Sequence, residues 1–218
     1  MMKQIIERAL LIVALLMFVG VSKGRADVLY NNLAATPDGV LDSIGSDWGP
    51  LADSFSTGAS SFDFTSLTVL LAGTESTGTI TAYLLSDSST SPGAVLDTIG
   101  QISETGITGT PSDFTLNTSI VLDPDTRYWI ELTDTDNAAT WAWSSDISGP
   151  GVANEYWSNY EGSGSPLVGP NSEGGPYQME VSGTSLASVP EPRTISLLLA
   201  AGLVGLALLR ARTKTQSV

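Results

Sequence analysis

The chain has 218 residues, 9 of them basic and 23 acidic, with no histidine and no cysteine, so disulfides, thiolate chemistry and any Ser-His-Asp or Cys-His catalytic array are excluded by composition. The charge is uneven: 21 acidic residues fall within residues 27–189 beside a single base, Arg127, a formal charge of −20 for that stretch, while the other basic residues sit in the two terminal segments. Such a surface repels phosphate backbones and attracts divalent cations or basic partners, so no nucleic-acid partner is expected.

The first segment carries Lys3 and Arg8, then an apolar run from Ala9 to Val21, then small residues Gly24 and Ala26. A basic start, a short apolar run and small residues before a break make a secretory signal peptide over residues 1–26. Its apolar run is expected to be helical, with cleavage by signal peptidase after Ala26. An uncleaved membrane anchor is the alternative, since Lys23 and Arg25 flank the site.

Residues 27–182 read as one domain dominated by a period of two, with no helical stripe. Strands are predicted near 28–30, 51–56, 61–72, 79–86, 94–102, 113–121, 126–133, 139–144, 153–158 and 176–182. Between them lie turn-forming clusters such as Asp87-Ser88-Ser89-Thr90-Ser91-Pro92-Gly93. Short strands at this spacing predict an all-β fold, an antiparallel β-sandwich or jelly roll. Within it, Tyr128, Ile130 and Leu132 share one strand face, and Trp129 and Glu131 the other. Trp141 and Trp143 also share a face, and the loop Thr133-Asp134-Thr135-Asp136-Asn137 is expected to join 126–133 and 139–144 as a hairpin. A Gly-, Ser- and Pro-rich loop region follows from about Ser144 to Pro176.

Residues 183–189 are small and polar, which suits a flexible linker. Pro190 and Pro192 then hold an extended segment with Glu191 between them. From Ile195 to Leu209 the chain is apolar, with Ser196 its one hydroxyl residue and no charge, followed by Arg210, Arg212 and Lys214. As a helix this run rises about 22 Å, short against a hydrocarbon core of about 30 Å. The basic flank favours the cytoplasmic side, placing the domain outside. The bland alternative is a plain C-terminal anchor.

Pro190-Glu191-Pro192, a short apolar helix and a basic end together resemble the PEP-CTERM sorting signal of Gram-negative bacteria, over residues 190–214. The basic cluster here is interrupted, Arg210-Ala211-Arg212-Thr213-Lys214, rather than a solid arginine block. The resemblance implies an exosortase as partner, a membrane-embedded cysteine transpeptidase that recognises and cleaves near the motif. It also implies export across the inner membrane, transient anchoring, and release to the cell surface or beyond. In the domain, the order Asp53-Ser54-Phe55, Ile80 to Leu85, Leu122 to Leu132 and Ala139 to Trp143 resembles the choice-of-anchor domains of bacterial surface proteins, of the R type. That family has no established catalytic residues, so none are carried over.

Three chemistries are open to the domain. Paired carboxylates are abundant enough for a glycan hydrolase, although most aspartates lie in turn contexts. Asp134, Asp136 and Asn137 offer oxygens for calcium within one loop, and Asp123 with Asp125 within another, but the EF-hand spacing is absent. Solvated turn aspartates are the alternative. Trp141, Trp143 and Trp157, with Tyr156 and Tyr160, offer an aromatic platform for a sugar ring, or else belong to the core. The expectation is a non-enzymatic surface or extracellular-matrix protein, structural or adhesive and associated with exopolysaccharide, without a required cofactor. A lectin-like module, with calcium assisting, is the second reading.

Overall fold

The computed structural model describes residues 26–38, 41–45, 49–74, 76–159 and 174–186. These all fall within one unit of the chain, which ends at Leu186. Both expected helices, 9–21 and 195–209, lie outside the described residues, as does the Pro190-Glu191-Pro192 motif. Among the described residues there is no helix, and the structure is all-β.

Among the described residues eleven strands form two antiparallel sheets. The six-stranded sheet contains β1 (Ala26–Asn31), β2 (Leu41–Ser43), β4 (Phe62–Gly73), β7 (Ser112–Leu122), β9 (Ala139–Ala142) and β11 (Met179–Ser185). The five-stranded sheet runs β10 (Trp157–Asn159), β3 (Leu51–Ser56), β8 (Arg127–Asp134), β5 (Thr79–Asp87), β6 (Pro92–Ser103). In the first sheet β7 lies along one edge of β4, and β11 and β9 share the other edge end to end. From β3 to β11 the chain changes sheet at every connection except β5 to β6.

One apolar core draws from both sheets. Phe62, Phe64, Leu67, Val69 and Leu71 come from β4, and Ile80, Leu84, Tyr128, Ile130 and Leu132 from the facing sheet. Phe55 spans the layers, with its ring 6.1 Å from Phe64 and 5.9 Å from Tyr128. Full burial of one such side chain is worth about 1.5–3 kcal/mol, and in a chain without disulfides these aromatics carry much of the stability. The inward positions of β4 change phase, from even numbers at Phe62 and Phe64 to odd numbers from Leu67 on. A bulge between Phe64 and Ser66 supplies the extra residue that turns the second half of the apolar pattern back to the core.

Positions facing away from this core are not all solvated. Trp129, Leu85 and Ala52 form a second buried cluster on the outer face of the five-stranded sheet, with Tyr83 and Tyr156 against it. The alternation predicted for Tyr128 to Leu132 therefore holds, but the outer-facing Trp129 is as buried as the inner residues. Its indole N–H finds an acceptor in Asp87 Oδ1 at 2.9 Å, at the start of the predicted turn.

The expected hairpin of β8 and β9 does not form. β8 pairs with β3 and β5, whereas β9 pairs with β4 and β2 in the other sheet. The loop 135–138 carries the chain between layers. Asp134 holds its geometry by accepting from the N–H groups of Asp136 and Ala139, both at 3.0 Å. Asn137 supplies the left-handed residue, φ 62°. Two other expectations need adjustment: the short strand β2 was not predicted, and the strand expected at 153–158 is a turn over 151–154 followed by β10.

Candidate functional site

Three loops meet at one end of the domain: 74 and 76–78 after β4, 104–107 after β6 and 135–138 after β8. Hydrogen bonds stitch them together. Glu104 N–H donates to Gly78 O at 3.2 Å, Thr74 N–H to Ala138 O at 3.0 Å, and Thr79 N–H to Thr135 Oγ1 at 2.9 Å. This stitching brings Glu104, Asp134 and Asp136 to one point, with a carboxylate oxygen of each within 4.8 Å of the others.

Glu104 lies at the base of this group and is closed off from solvent, Asp134 is half-buried and Asp136 is exposed. The Ser76 hydroxyl sits between two of the acids, bonded to Glu104 Oε2 and 2.6 Å from Asp136 Oδ2. The same hydroxyl accepts from the Gly78 N–H at 2.9 Å. Glu104 Oε1 is buried and has no hydrogen-bond partner. A Cβ at Gly78 would displace the Asp136 carboxylate from its present position. Burial pushes the Glu104 carboxyl up to about 8, with the neighbouring Asp134 carboxyl adding to the rise. Asp136 moves the other way, held down by its bonds to Ser76 and Glu104.

The loop candidates Asp134 and Asp136 are thus brought together, while Asn137 turns its side-chain amide against Gly45, where a Cβ would meet it. The missing partners are Glu104 and Ser76, each about thirty residues or more from the loop in sequence. Asp123 and Asp125 are exposed turn residues outside the cluster, Asp125 with φ 50°.

The aromatic platform does not assemble as expected. Trp141 is fully buried, stacked on Tyr177 at 4.7 Å and 17°, and its indole N–H donates to Gln178 O at 3.0 Å. Trp143 is half-buried and packs on the same core. Trp157 lies in the other sheet and pairs with Asp53, so it shares the inner face with that residue. The reason is volume: a core without cysteine and with few phenylalanines fills its space with indoles. Tyr156 packs on the outer cluster, and Tyr160 lies outside the described residues.

Beside Tyr156 is a shallow cleft of about 390 Å³, whose lining includes Arg127, Val152, Asn154 and Glu155. Arg127 lies 4.7 Å above the Tyr156 ring and donates from Nε to Glu155 Oε2 at 2.8 Å. Glu155 also accepts from Ser54 Oγ at 3.0 Å. The cation is spent on this internal pair, so the cleft offers no charge dedicated to a ligand.

Ala26, the expected cleavage point, opens β1 and its backbone pairs with Thr184. Arg210, Arg212 and Lys214 lie outside the described residues. No protein-family model and no curated protein matches the chain.

Proposed function

We propose that this chain is an exported, exosortase-sorted protein of a Gram-negative cell surface or extracellular matrix, with a structural or adhesive domain associated with exopolysaccharide. The observation that carries the reading is the ordered tail: Pro190-Glu191-Pro192, the apolar run 195–209, then Arg210, Arg212 and Lys214, after an acidic β-domain. In this reading residues 1–26 direct export and are removed by signal peptidase. The tail helix holds the protein in the inner membrane until an exosortase acts near the motif.

The domain itself fits an antiparallel β-sandwich of jelly-roll type. A single core filled from both sheets and a chain that repeatedly crosses between them support that assignment. A non-catalytic role is supported by the state of its carboxylates: Glu104 is closed to solvent, and Asp53 is fully buried against Tyr30. Neither can reach a glycosidic oxygen. The burial of Trp141 weighs against the lectin-like alternative in its platform form.

The test is Pro190→Ala, Glu191→Ala and Pro192→Ala together. The altered protein should accumulate in the inner-membrane fraction at the size of the unprocessed tail form. Arrival outside the cell at the wild-type size would refute the sorting reading.

A further inference from the structure

We propose that Glu104, Asp134 and Asp136, with the Ser76 hydroxyl, form a calcium site that clamps the three loops at one end of the domain. The donor set is all oxygen, which selects a hard cation. Two oxygens sharing one calcium at about 2.4 Å each can be no more than about 4.8 Å apart, and the three carboxylates meet that limit. An exposed acidic cluster alone would mean little. Here the innermost acid is buried, and its Oε1 has no donor among the protein groups around it. A buried carboxylate oxygen without a partner is destabilising, and a cation supplies the partner that the fold does not.

The surrounding residues fit the same role. Ser76 Oγ already joins Glu104 to Asp136, and Gly78 keeps open the space that the Asp136 carboxylate occupies. Asp134 is fixed in place by two backbone N–H groups, so its carboxylate is preorganised. Asp136 is exposed, which leaves the outer side of the site to water and gives the ion a way in. Calcium takes about six to eight oxygens and tolerates irregular geometry. Magnesium demands a tighter octahedron than three separate loops provide. Bound here, the ion ties the β4–β5, β6–β7 and β8–β9 connections together. The site does not depend on the sorting reading, and stands or falls separately from it.

The experiment is thermal unfolding of the full chain after chelator treatment, with calcium or magnesium restored, beside direct calorimetric titration of each ion. With calcium at about a hundredfold over its Kd, the midpoint should rise by about 5–10 °C. Glu104→Gln and Asp136→Asn should each weaken calcium binding at least about tenfold and remove at least about half of that rise. Asp136 is exposed, so Asp136→Asn keeps the test decisive if Glu104→Gln folds poorly. No calcium-induced rise in the wild type, or a full rise retained in Asp136→Asn, overturns the site. An equal rise with magnesium at the same concentration overturns the assignment to calcium.

Discussion

Arg127 is the one basic residue in a domain with 21 acids, and its removal should be felt well beyond a surface charge. Arg127→Met keeps the aliphatic stem over Tyr156 and deletes the guanidinium. Lost with it are the 2.8 Å bond from Nε to Glu155, the 3.3 Å bond from Nη2 to Asn154 O, and the cation over the Tyr156 ring. The Glu155 side chain is only 5% exposed and would keep Ser54 as its one charge-stabilising side-chain donor. Stranding a buried partner costs about 3–5 kcal/mol when both ions are fully buried. The Arg127 side chain is 24% exposed and partly screened, so the expected loss is about 2–3 kcal/mol. For a domain of this size that lowers the melting midpoint by about 5–10 °C. Urea unfolding of the wild type, Arg127→Met, Glu155→Gln and the double variant gives the coupling. The double variant should recover at least about 1 kcal/mol relative to additivity. Single variants whose effects simply add, or an Arg127→Met loss below about 0.5 kcal/mol, would refute the argument.

Two further perturbations test the interior. Asp53 is fully buried, and burial raises its carboxyl well above the ordinary value of 3.8 despite the Ser54 N–H and Tyr30 hydroxyl bonds. A folded state that holds its proton more tightly than the unfolded chain loses stability as pH rises from the unfolded value to the folded one. Asp53→Asn should therefore gain on the wild type as pH rises above about 4, and parallel stability–pH curves would contradict this. Trp141→Ala should cost about 3–5 kcal/mol, read by chemical unfolding, because the indole is fully enclosed and stacked on Tyr177. A stable variant that instead loses sugar binding would restore the platform reading.

Most of the strand positions were legible because alternation is local: Thr79 to Asp87 and Arg127 to Asp134 nearly match the segments predicted from the sequence. The sheet membership of β9 was not, because a short polar loop reads the same whether it closes a hairpin or crosses between layers. What decides is the side chain of Asp134 bonding Ala139, a contact that sequence spacing permits but does not announce. Glu104 was invisible as a site residue for a related reason. It stands just past the strand predicted at 94–102, in what reads as ordinary turn chemistry, and only the folded topology brings it to Asp134 and Asp136. A signal does stand in the sequence: a glutamate and two glycines follow the strand at 104–109, where the other turns favour Asp, Ser and Pro. Trp141 failed in the opposite direction, since a strand-face tryptophan looks alike in sequence on the core and on a binding surface.

β1 and β11 lie side by side, with Ala26 across from Thr184, and Thr184 in turn is across from Asp63 at the start of β4. The two chain ends of the domain therefore leave from the same corner. The acidic loops lie past Gly73, at the far end of the same strand, about 33 Å away at about 3.3 Å per residue. A load applied along β11 at its Leu186 end would be resisted by the β11–β1 and β11–β4 ladders together, in shear rather than bond by bond. The acidic loops sit at the opposite end of β4 from that corner, so a neighbour meeting them would leave the β1–β11–β4 ladders untouched.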